Sequence, residues 1–467
     1  MRLTPIWWIM ENHAAFEATI QTTSGPEMPN SSSFESLADQ ATRLLFRAIV
    51  RMRRLTWGPK SDGFSGEVRP TRLTIVQFGD YLEAFERFRD GGAENYYAQR
   101  YTVDFVANLA RQENIEQVTV ITFGRDVPLA EVFPGLCVAG VNLYPLGRPP
   151  ETSRLLAMVK ATDPTHLIVG APLVPLLEFG TAQGYRTLPL FADSFQGGGI
   201  KQRVRNAKLA FALSDPRITI VSNHNLAATL DLVRIGVDPN KVVPFDWPAL
   251  ISPRALAPKT APPSGQTFRL LYVGQLNEHK GVGDLIRALA HLRHAVIDVS
   301  LSLIGAGDVQ ALGDLSYNLQ VGDRVRFLGK RSHEQVQLEM REHDAVVVPS
   351  RHSYPEGLPM TLYEAMCSRT PILASDHPMF ALRIRDGFNA LVFRAESPDD
   401  LAKRIRDLMG SPATYESLSV NAETAAEYYL CPLKWDRLIS AWLAGDHSTI
   451  LSYAIAQMRE QTAQLKA

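Results

Sequence analysis

Residues 349–376 read PSRHSYPEGLPMTLYEAMCSRTPILASD, and their order of loop, helix and strand decides the class of fold. The stretch continues an apolar run, AVVVPS, that reads as a buried strand, and it closes on a second run, PILAS. Strands that are apolar throughout and separated by a helix indicate a parallel sheet covered on both faces. Between the two runs, Glu356 and Gly357 sit in a loop and Pro359 falls at or near the first helical position. Glycine before a helix and proline in its first turn are the chemistry of a helix start that approaches a ligand. The free amides there, near Leu358, Met360 and Thr361, form an anion site in which each contact contributes about 0.3–1 kcal/mol. Glu364, one turn into the helix, is placed to accept hydrogen bonds from vicinal hydroxyls such as those of a ribose. Glu356 reaches from the loop toward whatever lies beyond the anion.

The alternation extends in both directions. Upstream lie FRLLYVG, a helix with Leu285, Ile286, Leu289 and Leu292 on one face, DVSLSLIG, RVRFLG and a helix from His333; downstream lie NALVF and PDDLAKRIRDLM. An earlier series runs from LTIVQF through QVTVITF, THLIVG, TLPLFA and RITIVS, with amphipathic stretches between. The segment ALISPRALAPKTAPPSGQT carries no period and separates the two series. The expected architecture is α/β, with an N-terminal appendage over 1–70, partly disordered, and a Rossmann-like domain over 71–250. A linker at 251–267, a second Rossmann-like domain over 268–430 and C-terminal helices over 431–467 that pack back on the domains complete it. Two doubly wound units leave the cleft between the carboxyl ends of their sheets as the place for a ligand.

Composition narrows the function. At roughly 100–200 residues per domain, 467 residues fit this organisation. Forty-eight Lys and Arg against 49 Asp and Glu give a net charge of −1, so no global field attracts nucleic acid and no nucleic-acid partner is expected. Cys137, Cys367 and Cys431 lie far apart and the 11 histidines form no HExxH, which predicts no disulfide framework, no metal site and a reducing cytoplasm. No stretch approaches the ~18 uninterrupted apolar residues of a membrane span. The start, MRLTPIWWIMENHAAFEA, turns acidic too soon for a secretory signal. GAGDVQALG (305–313) fails the dinucleotide pattern because Gln310 holds the third glycine's place, so it reads as a tight strand-to-helix turn. In KQRVRNAKLAF and the Ile200 before it, Ile200, Val204, Ala207 and Phe211 share one face, and Lys201, Arg203, Arg205 and Lys208 surround it. A solvated face and contact with anionic lipid or a phosphate-bearing acceptor are both open for this helix.

The 349–376 segment resembles the signature of the retaining GT-B glycosyltransferases called group 1, which include glycogen-synthase-like and mannosyl transferases. LLYVGQLNEHKGVGDLIRAL (270–289) resembles the glycine-and-lysine loop of that class. Lys280 falls on its phosphate-binding lysine and Gly274 on its tight strand exit, while Gln275 departs from the usual arginine. VQFGDYLEAFERFRDGGAENYYAQ (76–99) resembles the first strand, loop and helix, with Gly91 and Gly92 at the glycine pair that approaches donor and acceptor. Arg331 stands where the class lodges the nucleotide base. Many members place a histidine after the strand matching TLPLFADSF; here Asp193 is read either as its substitute or as a helix cap. His377, Pro378 and Met379, with Leu382 at the position of a glutamate in the class, leave the donor-sugar contacts unassigned.

The resemblance implies transfer of a sugar from a nucleotide-diphosphate sugar to an acceptor hydroxyl with retention, in glycan, glycolipid or surface-polysaccharide synthesis, with no cofactor and no essential metal. It implies Lys280, Glu356 and Asp193 as catalytic candidates, and Gly274, Gln275, Arg331, Gly357, Leu358, Pro359, Met360, Thr361 and Glu364 around the donor. The acceptor is expected to be a glycan, a lipid-linked sugar or a small molecule, with peripheral contact at the inner face of a membrane. Two further readings keep the scaffold: a nucleotide-sugar hydrolase or epimerase, and a sugar-nucleotide-binding protein without transfer, the latter prompted by Gln275 and the missing histidine.

Overall fold

Leu73, Thr74, Ile75 and Val76 are buried in succession, as a strand covered on both faces requires. They form the centre of β1 (Thr71–Gln77) in a computed structural model that describes residues 69–143, 152–195, 199–446 and 448–451. The expected appendage therefore lies, but for Arg69 and Pro70, outside the described residues, which all belong to one body spanning 67–467. After β1 come α1 (Tyr81–Arg89), α2 (Gln99–Leu109), β2 (Ile115–Phe123), β3 (Val127–Phe133), β4 (Leu136–Val141), α3 (Thr152–Ala161) and β5 (His166–Val169). Then follow α4 (Val174–Ala182), β6 (Arg186–Phe191), α5 (Ile200–Leu213), β7 (Val221–His224), α6 (Leu226–Arg234) and β8 (Val242–Phe245). The eight strands are ordered β3-β4-β2-β1-β5-β6-β7-β8, all parallel except the β3–β4 pair.

The second half repeats the plan with β9 (Phe268–Val273), α7 (Val282–His294), β10 (Val299–Ile304), α8 (Val309–Asn318), β11 (Val325–Gly329) and α9 (His333–Glu342). It ends with β12 (Ala345–Val348), α10 (Met360–Cys367), β13 (Ile372–Ser375), β14 (Leu391–Phe393) and α11 (Pro398–Gly410). Its six parallel strands are ordered β11-β10-β9-β12-β13-β14. Strand order reverses beside β1 in one sheet and beside β9 in the other, so the ends of these two strands mark the crevice where such folds take ligands.

Two long-range features join the halves. The stretch between β8 and β9 carries a single 3₁₀ turn at Pro253–Ala255. After α12 (Pro412–Tyr429) the chain returns: Asp246 N–H donates to Leu433 O (3.0 Å), and Asp246 Oδ2 accepts from Cys431 N–H (2.6 Å). This delivers α13 (Trp435–Leu443) to the first sheet, where Trp435, Leu438, Ile439 and Trp442 join the core of β1, β2 and β8.

The sequence reading departs from the structure in two places. β3 is an exposed antiparallel edge strand that the reading did not contain. On α5 the apolar face counted from spacing is not the face that packs: Asn206, Leu209, Ala210, Ala212 and Leu213 are buried, while Ile200 is 62% exposed. Asn206 is tolerated inside because its amide donates to Phe195 O at 2.9 Å and its oxygen accepts from Gln202.

Candidate active site

Strand exits at the switch points need backbone that approaches closely, and glycine supplies it. Gly274 leaves β9 with φ +152°, and Gly305 leaves β10 with φ +147°; a Cβ on Gly305 would stand 1.8 Å from Gly274 O. The two exits interlock through Gly274 N–H to Ile304 O (3.0 Å) and Leu276 N–H to Ala306 O (2.9 Å). Gly281, at φ +74°, caps the start of α7, and a Cβ there would lie 2.0 Å from Pro349 O. That contact presses the lysine loop against the end of β12 and sets the position of Lys280.

Lys280 Nζ lies 2.5 Å from Glu356 Oε1 and 4.3 Å from the centroid of the Tyr354 ring. Ser350 Oγ donates to the same carboxylate oxygen at 2.5 Å, and Lys280 N–H donates to Asn277 Oδ1 at 2.8 Å. Pro359 is the N-cap of α10, one position earlier than a first helical residue, and the helix has no side-chain cap. Its first amides, at Met360 and Thr361, therefore carry an uncancelled positive end of the dipole. Glu364 is 7% exposed, and His333 Nδ1 stands 2.9 Å from its Oε1, close enough for charge pairing though not aligned as a hydrogen bond. The Glu364 carboxylate raises the pKa of His333 above the ordinary histidine value against the opposing effect of burial.

These groups line one side of a cleft of about 990 Å³ between the carboxyl ends of the two sheets. Gly274, Gln275, Lys280, Arg331, Glu356, Pro359, Met360, Thr361 and Glu364 all face it; Gly357 and Leu358 do not. Gly357 packs where a Cβ would meet Ala192 O and His224 Nδ1, so it joins the halves, and Leu358 is core. Gly91 and Gly92 lie outside the cleft, in the turn after α1; the residues that take their expected place are Asn95, Tyr96, Tyr97 and Ala98. Lys201, Arg203, Arg205 and Lys208 do not line it either.

Asp193 follows β6 one residue beyond the lining residue Ala192, and its backbone is fixed by two hydrogen bonds with the Asn223 amide. It caps no helix, and burial with no partner for its carboxylate among the described residues pushes its pKa up to about 6. Sequence reasoning missed three further contributors. Tyr97 packs edge-on against both His333 and Tyr363. His333 N–H donates across the cleft to Glu94 O at 3.0 Å. His224 Nε2 lies 2.9 Å from Asp246 Oδ1, a buried pair behind Gly357. The sequence carries no local signal for any of them: the first two depend on pairing between the halves, and the third on the pairing of β7 with β8.

Two doubly wound halves with an amide-lined, lysine-bearing cleft at their switch points define the GT-B fold of glycosyltransferases. Sucrose-phosphate synthase from Thermosynechococcus elongatus superposes with a TM-score of 0.60 over 80% of this chain and 99% of that one, at 18% identity. An Anabaena HepE structure in complex with UDP-glucose gives a TM-score of 0.55 over 84% of this chain and 99% of that one, at 15% identity. A D-inositol 3-phosphate glycosyltransferase of Mycolicibacterium vanbaalenii is 27% identical over 428 residues, 82% of this chain and 90% of the relative. A glycogen synthase of Mycobacterium tuberculosis is 28% identical over 46% of this chain and 47% of the relative. Residues 256–425 match the family described as "Glycosyl transferases group 1".

Proposed function

We propose that the protein transfers a hexosyl group from a nucleotide-diphosphate sugar to an acceptor hydroxyl with retention of anomeric configuration, in the synthesis of a glycan, glycolipid or surface polysaccharide. The observation that carries the reading is the Lys280–Glu356 pair set beside the uncapped start of α10. As the bond between sugar and diphosphate breaks, negative charge grows on the leaving oxygens. The Lys280 ammonium has three N–H donors and Glu356 engages one, leaving two for the leaving group beside the Met360 and Thr361 amides. Glu364 takes the ribose hydroxyls, with His333 holding its carboxylate. Lys330 and Arg331, neither paired with a carboxylate among the described residues, flank the base and phosphates. On the sugar side, Glu356 lines the cleft beside a developing cationic centre, and Asp193, one residue beyond the lining residue Ala192 and ionised above a pH of about 6, adds negative charge behind it.

Because Lys280 and the amides supply the positive potential, no essential metal is invoked, and full activity in excess chelator checks that point. HepE was captured with UDP-glucose, which makes UDP-glucose the first donor to test. A thermal-shift panel of UDP-, GDP- and ADP-sugars tests the reading, since a ligand at about 100 Kd adds roughly 2.7 kcal/mol. No response to any of them sinks it, and the anomeric proton coupling of the product decides retention against inversion. Three free thiols suit a reducing cytoplasm, and no helix among the described residues is long and apolar enough to cross a membrane. Ile200, 62% exposed beside Lys201 and Arg205, supports peripheral contact with an anionic lipid surface. Sedimentation with phosphatidylglycerol vesicles, compared for the wild type and Lys201→Glu/Arg205→Glu, tests it.

A further inference from the structure

The two walls of the cleft differ in charge. Every lysine and arginine that lines it, Lys280, Lys330 and Arg331, comes from the second half. Among the described residues, the first-half wall carries no cation; its charged members are Asp80 and Glu83. The arginines nearest to that wall stand behind these carboxylates and are bound to them. Arg125 bonds both oxygens of Asp80. Arg87 donates to Glu83, to Ala93 O and to Gln99 Oε1, so its guanidinium is committed. Burial works against the charge of Asp80, but Arg125 and the Glu83 amide outweigh it and hold its pKa below the ordinary aspartate value.

The helix starts on the two sides differ in the same sense. α10 is uncapped, whereas α1 is closed by Asp80, whose Oδ1 accepts from Glu83 N–H at 3.0 Å, and Glu83 already occupies its first turn. On α2 the Arg100 amide is taken by Glu94 Oε1 at 2.6 Å. On this wall the first-turn amides of α1 and α2 are thus spent on the protein's own carboxylates.

What the first-half wall does offer is aromatic surface and neutral hydrogen-bonding groups. Phe78 is 54% exposed and Tyr96 56%, yet Phe78 is held edge-on to buried Phe123 with centroids 5.0 Å apart. Tyr96 places its hydroxyl over Gly79, where a Cβ would be 3.9 Å away. Asn95 completes the rim. An aromatic face next to carboxylate acceptors suits a pyranose, which presents an apolar C–H face and a fringe of hydroxyl donors.

Resting on the transferase reading above, we infer that the acceptor is an uncharged sugar stacked on Phe78 and Tyr96, with its hydroxyls donated to Asp80 and Glu83, and that phosphorylated sugars are excluded. Among the described residues, a phosphate at this wall meets two carboxylates and no cation that is not already bound to them, which costs affinity without any steric clash.

The test uses the full chain saturated with UDP, titrated with methyl β-glucoside, maltose, N-acetylglucosamine, glucose 6-phosphate and inositol 3-phosphate and followed by saturation-transfer NMR. At least one uncharged sugar is expected to bind about tenfold or more tighter than either phosphorylated one, the order of discrimination a single pocket supplies. Phe78→Ala should weaken that sugar by a similar factor and leave the UDP affinity unchanged. Asp80→Asn with Glu83→Gln should narrow the gap, and asparagine keeps the cap of α1. Equal or tighter binding of a phosphorylated sugar, binding of no uncharged sugar, or an unchanged Phe78→Ala affinity overturns the inference. Failure of UDP itself to bind the wild type overturns the donor reading beneath it.

Discussion

Lys280 and Asp193 are two charges in contrasting situations, and each yields a measurable consequence. Lys280 is paired with the buried Glu356 carboxylate and lies over the Tyr354 ring, so Lys280→Ala should lower the Tm, leaving Ser350 as the carboxylate's donor, while kcat falls by about 10²–10³. Steady-state kinetics of sugar transfer with a circular dichroism melt checks both halves of that statement. Asp193 has no partner for its carboxylate among the described residues, and its folded pKa of about 6 lies above the ordinary aspartate value. The stability tied to its protonated form is therefore fully present at about pH 4 and lost as the pH rises through about 6. Asp193→Asn should remove this dependence, gaining up to about 3 kcal/mol at neutral pH at ~1.4 kcal/mol per pKa unit. The acidic limb near pH 6 in kcat/KM should vanish from the residual activity of that variant. Lys280, Glu356 and Glu364 were legible because the loop chemistry around them is local. Tyr97 and His333 were not, because their meeting is decided by more than two hundred residues of intervening chain.

At the scale of elements, the lysine loop is the tightest joint in the site. Gly281→Ala would bring a Cβ to 2.0 Å from Pro349 O at φ +74°, so backbone must move. A stability loss of about 1–3 kcal/mol together with weaker donor binding is expected, readable as a lower Tm and a raised Kd. Gly313→Ala in α8, where nothing lies within 4 Å of the new atom, is the control and should not change donor affinity. Parallel strands such as β1 and β12 could be read from sequence because they are apolar on both faces. β3 escaped because an exposed edge strand, VPLAEVF, has no buried face to leave a pattern. On α5 two apolar stripes compete, and spacing alone could not tell that Leu209 and Leu213 would win over Val204 and Phe211.

For the whole molecule, α13 is covalently the last described helix of the second half yet a structural part of the first. Trp442 is 2% exposed in the first core, and Trp442→Ala should cost about 3–5 kcal/mol. The loss should appear in denaturant unfolding as destabilisation of the first half. Truncation after residue 430 should strip the first sheet of Trp435 and Trp442 and prevent accumulation of folded protein, although all of the residues matched to the family, 256–425, would be retained. The two-domain plan was legible from the Pro-rich stretch between the strand series. The return of the chain was not, since residues 430–435 carry no period that would announce it.

That return has a mechanical side. The outgoing and incoming strands of chain are tied to each other at one place, through Asp246 to Cys431, Leu433 and Trp435. Two independent tethers would allow the halves to slide or twist, whereas tethers pinned together act as a single pivot. Displacement about a pivot grows with distance from it. Trp247 and the His224–Gly357 contact, near the pin, should barely shift as the cleft opens, whereas the Tyr97–His333 packing and the His333–Glu94 hydrogen bond, farther out, must part for the rim at Phe78 to travel. Admission and release then happen at the end of the lever, and the chemistry sits near its fulcrum.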